Sequence, residues 1–342
     1  MFGVNGIILK EAVIMMKRCD ESNEEILERI GISNTYENES SVFVQAELSP
    51  RDEAWWTDPG DWDFLIHQDF LPDWFEKGKE EYELKFREEV KRWWDLHLLV
   101  NRKFETISTG CYMLTGCMVE RLSGDALVLL KDSQVVEMSG KSRIVEMTGG
   151  SCVETMQDDA SVQIMKENSE ICNMYDSSWV EIMENDSEVG AMKDKSQIEE
   201  MFHQSKVRVL LDRSRILKMD DESFVTEMTD FSLIERMYGS TVLYMTGNSK
   251  IEALHCGANV YKMEGNSHIE DLCSGIVERM DDSSRIGTMN GRSRVGEMYG
   301  ESQIEKLSDR SIAMDFKSSP LIKILVPDDD YKFELVVQKR TK

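Results

Sequence analysis

The chain is short of the residues that mark metal, nucleic-acid and membrane binders. Its 342 residues hold five histidines (His67, His97, His203, His255 and His268). They are scattered too widely to share one ion, so no metal is expected. Positive charge is scarce: 40 Lys and Arg stand against 65 Asp and Glu, a formal charge of -25 with a pI near 4.6. Phosphate backbones and anionic bilayers repel such a surface over a Debye length, which excludes direct binding to nucleic acid or membrane. The seven cysteines contain no CxxC pair, and their number is odd. A chain of this size does not need disulfide staples, so a reduced, cytoplasmic setting is expected. No basic leader precedes the first apolar run and no small-residue cleavage site follows it, which predicts no signal peptide. No apolar stretch reaches the length of a membrane span.

Catalytic motifs are missing too. There is no Gly-rich phosphate loop, no GxSxG and no HExxH. His67 and Asp69 could be paired as acid and base, but a histidine in a Trp-rich segment is more often structural. The expectation is a non-enzymatic protein with no catalytic residues and no cofactor.

What is present divides in two. Six of the seven tryptophans (Trp55, Trp56, Trp62, Trp74, Trp93 and Trp94) precede residue 95, and only Trp179 follows. Residues 1–107 therefore read as a small α-helical, aromatic-rich domain. Helices are predicted over Ile7–Lys17, Asn23–Ile30 and Asp73–His97. In the last of these, Tyr82, Phe86, Val90 and Trp94 form one apolar stripe, and Asp73 is a candidate N-cap.

From Ser108 to Leu325 one phrase, Ser-x-(Ile/Val)-x-x-Met, recurs through twenty-five consecutive units of eight or nine residues. Nineteen units start with Ser, and seventeen carry Met at the sixth place, the rest Leu or Phe316. The four short units, beginning at Cys117, Asp125, Ser232 and Ser267, are read as losing a residue from the linking tripeptide. Linkers such as "TGG", "QDD" and "NGR" supply the positive φ of tight corners. Short β-branched strands between such corners at constant period predict a β-solenoid.

The third position sets the period. Ile198, Ile216, Ile234, Ile251, Ile269 and Ile286 alternate with Val189, Val207, Val225, Val242, Val260, Val277 and Val295. The repeat is thus two units, about 18 residues per coil, and the Ile and Val columns belong to opposite parallel sheets. Ser, Ile or Val, and Met should fill a thin core, large against small. Residues 326–342 are expected to cap the far end. Trp93 and Trp94 are expected to cap the near end, with the N-terminal domain serving otherwise as a homo-oligomer or docking module. The calcium ligands of RTX nonapeptides, Gly-Gly-x-Gly-x-Asp, are missing.

On the outside, Glu181, Glu199, Glu235, Glu252, Glu270 and Glu305 form an acidic column on one sheet, beside Trp179. Solvation accounts for such a column. A flat recognition surface, helped by Trp179, Phe224, Phe231 and Tyr238, is the functional reading.

The phrases "SGKSRIVEMTGGS" and "SSRIGTMNGRSRVGEM", with the entry segment "LPDWFEKGKEEYELKFREEVKRWW", resemble nonapeptide-repeat proteins of gut-bacterial mobile elements and phages. The resemblance covers about residues 70–325 and implies a bacterial or phage cytoplasmic setting, with no catalytic residues to carry over. More distantly, an acidic solenoid is similar to DNA-mimicking pentapeptide-repeat proteins. Of the charge, -11 lies in residues 1–107 and -14 beyond. The rod then carries about one negative charge per coil, where duplex DNA has about three over the same rise, so only local mimicry is expected. The expected partner is a basic or nucleic-acid-binding protein. A host defence protein such as a CRISPR effector or restriction enzyme is the concrete version, and an oligomeric structural or adhesive component is the alternative.

Overall fold

The computed structural model describes residues 2–52, 54–308, 310–317 and 320–325; the expected C-terminal cap at 326–342 lies outside them. The repeats form a β-solenoid of about 12 turns. Its two parallel sheets take alternate units. The 14-stranded Ile sheet runs from Leu98–Val100 to Leu321–Leu325, and the 13-stranded Val sheet from Lys103–Ile107 to Ile312–Ala313. Register is strict: Ile216 stands beside Ile198 and Ile234, and Val225 beside Val207 and Val242. The typical five-residue strand buries its second and fifth residues, which are the third and sixth of the unit. With the leading serine these fill one continuous core, in which the Met side chains from Met138 to Met298 are fully buried.

Corners behave as their composition predicts. Asp158, Asp176, Asp194, Asp212 and Asp230 hold φ between 55° and 59° at one edge. Asn185, His203 and Asp221 hold φ of 56°, 54° and 54° at the other. Only residues that tolerate the left-handed region suit these places without strain.

The leading serines solve their burial unevenly. The Ser178 hydroxyl donates to the Tyr175 carbonyl at 2.7 Å, and Ser214 to Leu211 at 2.7 Å. The hydroxyls of Ser187, Ser205, Ser223 and Ser240 are buried with no partner. A buried hydroxyl without an acceptor forfeits its bonds to water. Ser223→Ala should therefore raise stability by about 1 kcal/mol, whereas Ser178→Ala should lower it by a similar amount. Urea midpoints for the two variants would decide; equal shifts would remove the distinction.

The first coils depart from the expected register. Strands Leu98–Val100 and Lys103–Ile107 already belong to the two sheets, ahead of Ser108. Two coils further on, Ala126 and Val128 point into the core, with Asp125 exposed. The strand Leu127–Lys131 lacks one residue between the places matching Ile144 and Glu146. The deletion thus falls inside a strand as well as in a linker. Met113, Leu127 and Leu129, which point out of the solenoid, are buried against the N-terminal domain.

That domain mixes strands with its helices. Ile7–Lys17, expected to be helical, is instead a hairpin of β1 (Val4–Leu9) and β2 (Val13–Met15), closed by the pair of bonds between Leu9 and Ala12. The β-branched Val4, Ile7 and Ile8 are fully buried there, and packing overrides helical spacing. With β3 (Phe43–Ser49) and β4 (Asp63–Ile66) they form an antiparallel sheet in the order β2-β1-β3-β4. Helix α1 (Asn23–Arg29) starts in a capping box between Ser22 and Glu25. A four-residue helix, α2 (Tyr36–Glu39), follows. The long helix is broken at Gly78 into α3 (Asp73–Lys77) and α4 (Lys79–His97). Pro72 takes the N-cap place, and Asp73 caps nothing.

The domain docks sideways on the outer face of the Ile sheet. Phe86, Val90, Trp93 and Trp94 share a core with Cys111, Met113, Leu127 and Leu129, and the solenoid's own core does not include the two tryptophans. Two polar links and one covalent bond tie the parts together. Trp55 donates to Glu146 at 2.8 Å, and Arg143 pairs with Asp20 at 3.0 Å. Cys19 and Cys111 form a buried disulfide, which runs against the reduced state expected from cysteine count. No helix among the described residues is long and apolar enough to cross a membrane.

Candidate binding face

Strict register turns each outward position of the solenoid into a column with a spacing of about 4.8 Å. On the Ile sheet, Trp179 stands between Ser161 and Gln197, one coil on either side. Glu181, Glu199, Glu235 and Glu305 are half-buried, while Glu252 and Glu270 are exposed. Leu217 interrupts the column at the strand Arg215–Met219, and Gly287 at Arg285–Asn290. Glu181, Glu199, Glu200, Leu217, Lys218 and Arg236, with Ile182, line a shallow cavity of about 320 Å³.

Cations answer much of this acidity. Arg215 lies 3.8 Å from Glu235, Lys323 lies 3.4 Å from Glu305, and Lys250 reaches both Glu252 (3.5 Å) and Glu270. The bond from Lys250 holds Glu270 below the usual carboxylate range, and Lys250 itself is raised by the same bond. His268, beside Lys250, is pushed down by burial and then by that charge. Mixed columns of this kind relieve the repulsion of stacked like charges.

A denser acidic array lies at the edge, where chain passes from the Val sheet to the Ile sheet. The left-handed aspartates Asp158, Asp176, Asp194, Asp212 and Asp230 recur every 18 residues. The amide of each of the first four donates to the carboxylate of the next, at 3.2–3.4 Å. Gly140 extends the ladder, donating to Asp158 at 3.0 Å. Each carboxylate thus has one oxygen fixed by backbone and the rest open to solvent. No ion pair engages any of the five among the described residues. The signal was in the sequence, as the middle residue of every second linker, but attention to the strand positions passes over it.

The aromatic residues do not converge. Trp179 is half-buried on the Ile sheet, Phe224 is half-buried on the Val sheet, and Phe231 and Tyr238 sit at opposite edges. In the N-terminal domain His67 pairs with Glu47 at 2.7 Å, and Asp69 is not its partner. No family model, no curated protein and no solved structure significantly matches this chain.

Proposed function

We propose that the chain is a non-catalytic, protein-binding rod that engages a basic, nucleic-acid-handling partner through its acidic edge and the adjoining Ile-sheet face. The aspartate ladder supports this reading best. Five carboxylates held at coil spacing, none of them in an ion pair among the described residues although Lys195 and Arg213 adjoin three of them, offer a basic groove a rigid row of acceptors whose ordering is already complete. Spacing of about 4.8 Å is coarser than that of duplex phosphates, so the ladder suits local mimicry of a strand. Together with the mobile-element resemblance, this points to inhibition of a host defence protein in the bacterial cytoplasm. Burial of the Cys19–Cys111 bond shields it from thiol exchange in such a compartment.

Acid-dependent association weakens with screening. The partner should be recovered from a bacterial lysate at low salt and lost at high salt. Asp176→Asn, Asp194→Asn and Asp212→Asn together should weaken it at least tenfold, because asparagine keeps the left-handed corner and removes the charge. Reversing Glu235, Glu252 and Glu270 to Lys tests the sheet column separately. Recovery of self-assembled rods alone would shift the reading to a structural component. A captured partner indifferent to both variant sets would remove the acidic face from the function.

A further inference from the structure

The outer face of the Val sheet carries a cluster that neither the acidic face nor the domain contact uses. Strands Cys152–Met156 and Glu170–Met174 are neighbours, with Cys152 opposite Glu170 and Thr155 opposite Asn173. Glu154 and Cys172 therefore face each other across the same pair. The four residues make a two-by-two patch, with thiols on one diagonal and carboxylates on the other. The two sulfurs are 3.9 Å apart, and Cys172 Sγ is 3.8 Å from Glu170 Oε1. One ligand atom each from Cys152, Glu170 and Cys172 lies within 4.8 Å of the other two. All three side chains are half-buried.

These distances select among chemistries. Two thiolates on a tetrahedral ion, with metal–sulfur bonds of ~2.3 Å, sit about 3.8 Å apart. A disulfide does not fit. Diagonal neighbours on adjacent strands place their Cα atoms about 8 Å apart, beyond the ~7 Å limit for a bridge. Glycine at 190 leaves the next place in the Cys172 column without a side chain, and a Cβ there would come within 2.4 Å of the Cys172 carbonyl. In that same coil Glu188 is engaged by Arg208, which also lies 3.7 Å from Glu170.

We propose that Cys152, Cys172 and Glu170 form a site for a thiophilic divalent cation of the zinc class, with Glu154 adjacent as a fourth ligand. Two sulfur donors disfavour magnesium and calcium, which take oxygen. Glu154 Oε1 accepts from Gln134 at 2.7 Å, an outer bond of the kind that orients a ligating carboxylate. The ion would clip two consecutive coils across the sheet.

The full chain, handled without oxygen, is titrated with Co2+ and then Zn2+. A thiolate-to-cobalt charge-transfer band should saturate at one ion per chain and bleach on adding zinc. Cys152→Ser and Cys172→Ser should each weaken binding at least tenfold, as should Glu170→Gln. Cys256→Ser, at an exposed thiol elsewhere, should leave it unchanged. Absence of the band from the native chain, or its survival in the double serine variant, would overturn the proposal. Should a serine variant unfold, alkylation of the native chain read by mass spectrometry decides. Zinc must slow modification of Cys152 and Cys172 but not of Cys256, and equal rates with and without zinc would overturn the site.

Discussion

Replacing Glu146 by alanine is expected to lower stability by about 3–5 kcal/mol, the range for breaking one side of a buried charged contact. Glu146 points outward from the solenoid yet is only 3 % exposed, because the N-terminal domain covers it. One carboxylate oxygen accepts from Trp55 at 2.8 Å, and the other meets Lys166 at 3.1 Å. Truncation strands a buried indole N–H and removes one partner of a largely buried ammonium. Glu146→Gln keeps an acceptor for Trp55 and should lose less. Removing Glu252, which is exposed on the same sheet, should cost under ~1 kcal/mol. Urea unfolding of the three variants tests the order, and a Glu146→Ala loss no larger than that of Glu252→Ala would show that the contact does not hold the domain in place.

Met219→Ala is expected to cost about 2–5 kcal/mol, since the side chain is fully buried in a core one residue thick on each sheet. Met219 stacks in register between Met201 and Met237. A solenoid couples each coil chiefly to its neighbours, so the geometry makes a sharper statement than the single loss. Met219→Ala and Met237→Ala should be non-additive because their cavities share a wall. Met219→Ala and Met147→Ala lie several coils apart and should add within about 0.5 kcal/mol. Additivity for the adjacent pair would indicate that neighbouring methionines do not share packing.

The solenoid was legible because its core repeats a single solution. Each Ser, Ile or Val, and Met occupies the same place in every coil, so column composition alone separated the two sheets. Legibility failed where a second surface covered the first. In "ALVLL" (Ala126–Leu130), Leu127 and Leu129 are apolar because the N-terminal domain packs on them, and one strand residue is missing. A run buried on both faces carries no alternation from which to read register. The hairpin at Val4–Met15 was hidden for a related reason, since its apolar residues fit helical spacing as well as strand pairing. The candidate sites depend on distances along the stack. Asp176 and Asp194 are 18 residues apart and touch through the backbone, and Cys152 and Cys172 are 20 apart and meet diagonally. Neither spacing means anything until the coil length is known. The charge-bearing Glu column was readable, but its pairing with Arg215, Lys250 and Lys323 depends on side-chain reach across strands.

The alternation of Ile and Val units between two sheets also limits how such a rod can grow. Inserting a single nine-residue unit would send every later strand to the opposite wall. The aspartate edge would then change sides midway, and everything beyond the insertion would turn half a revolution relative to the docked N-terminal domain. Inserting two units adds one full coil and leaves each wall, edge and column continuous. Length can therefore change in steps of about 18 residues without scrambling a surface, and the number of units gained or lost between any two surface features is constrained to be even.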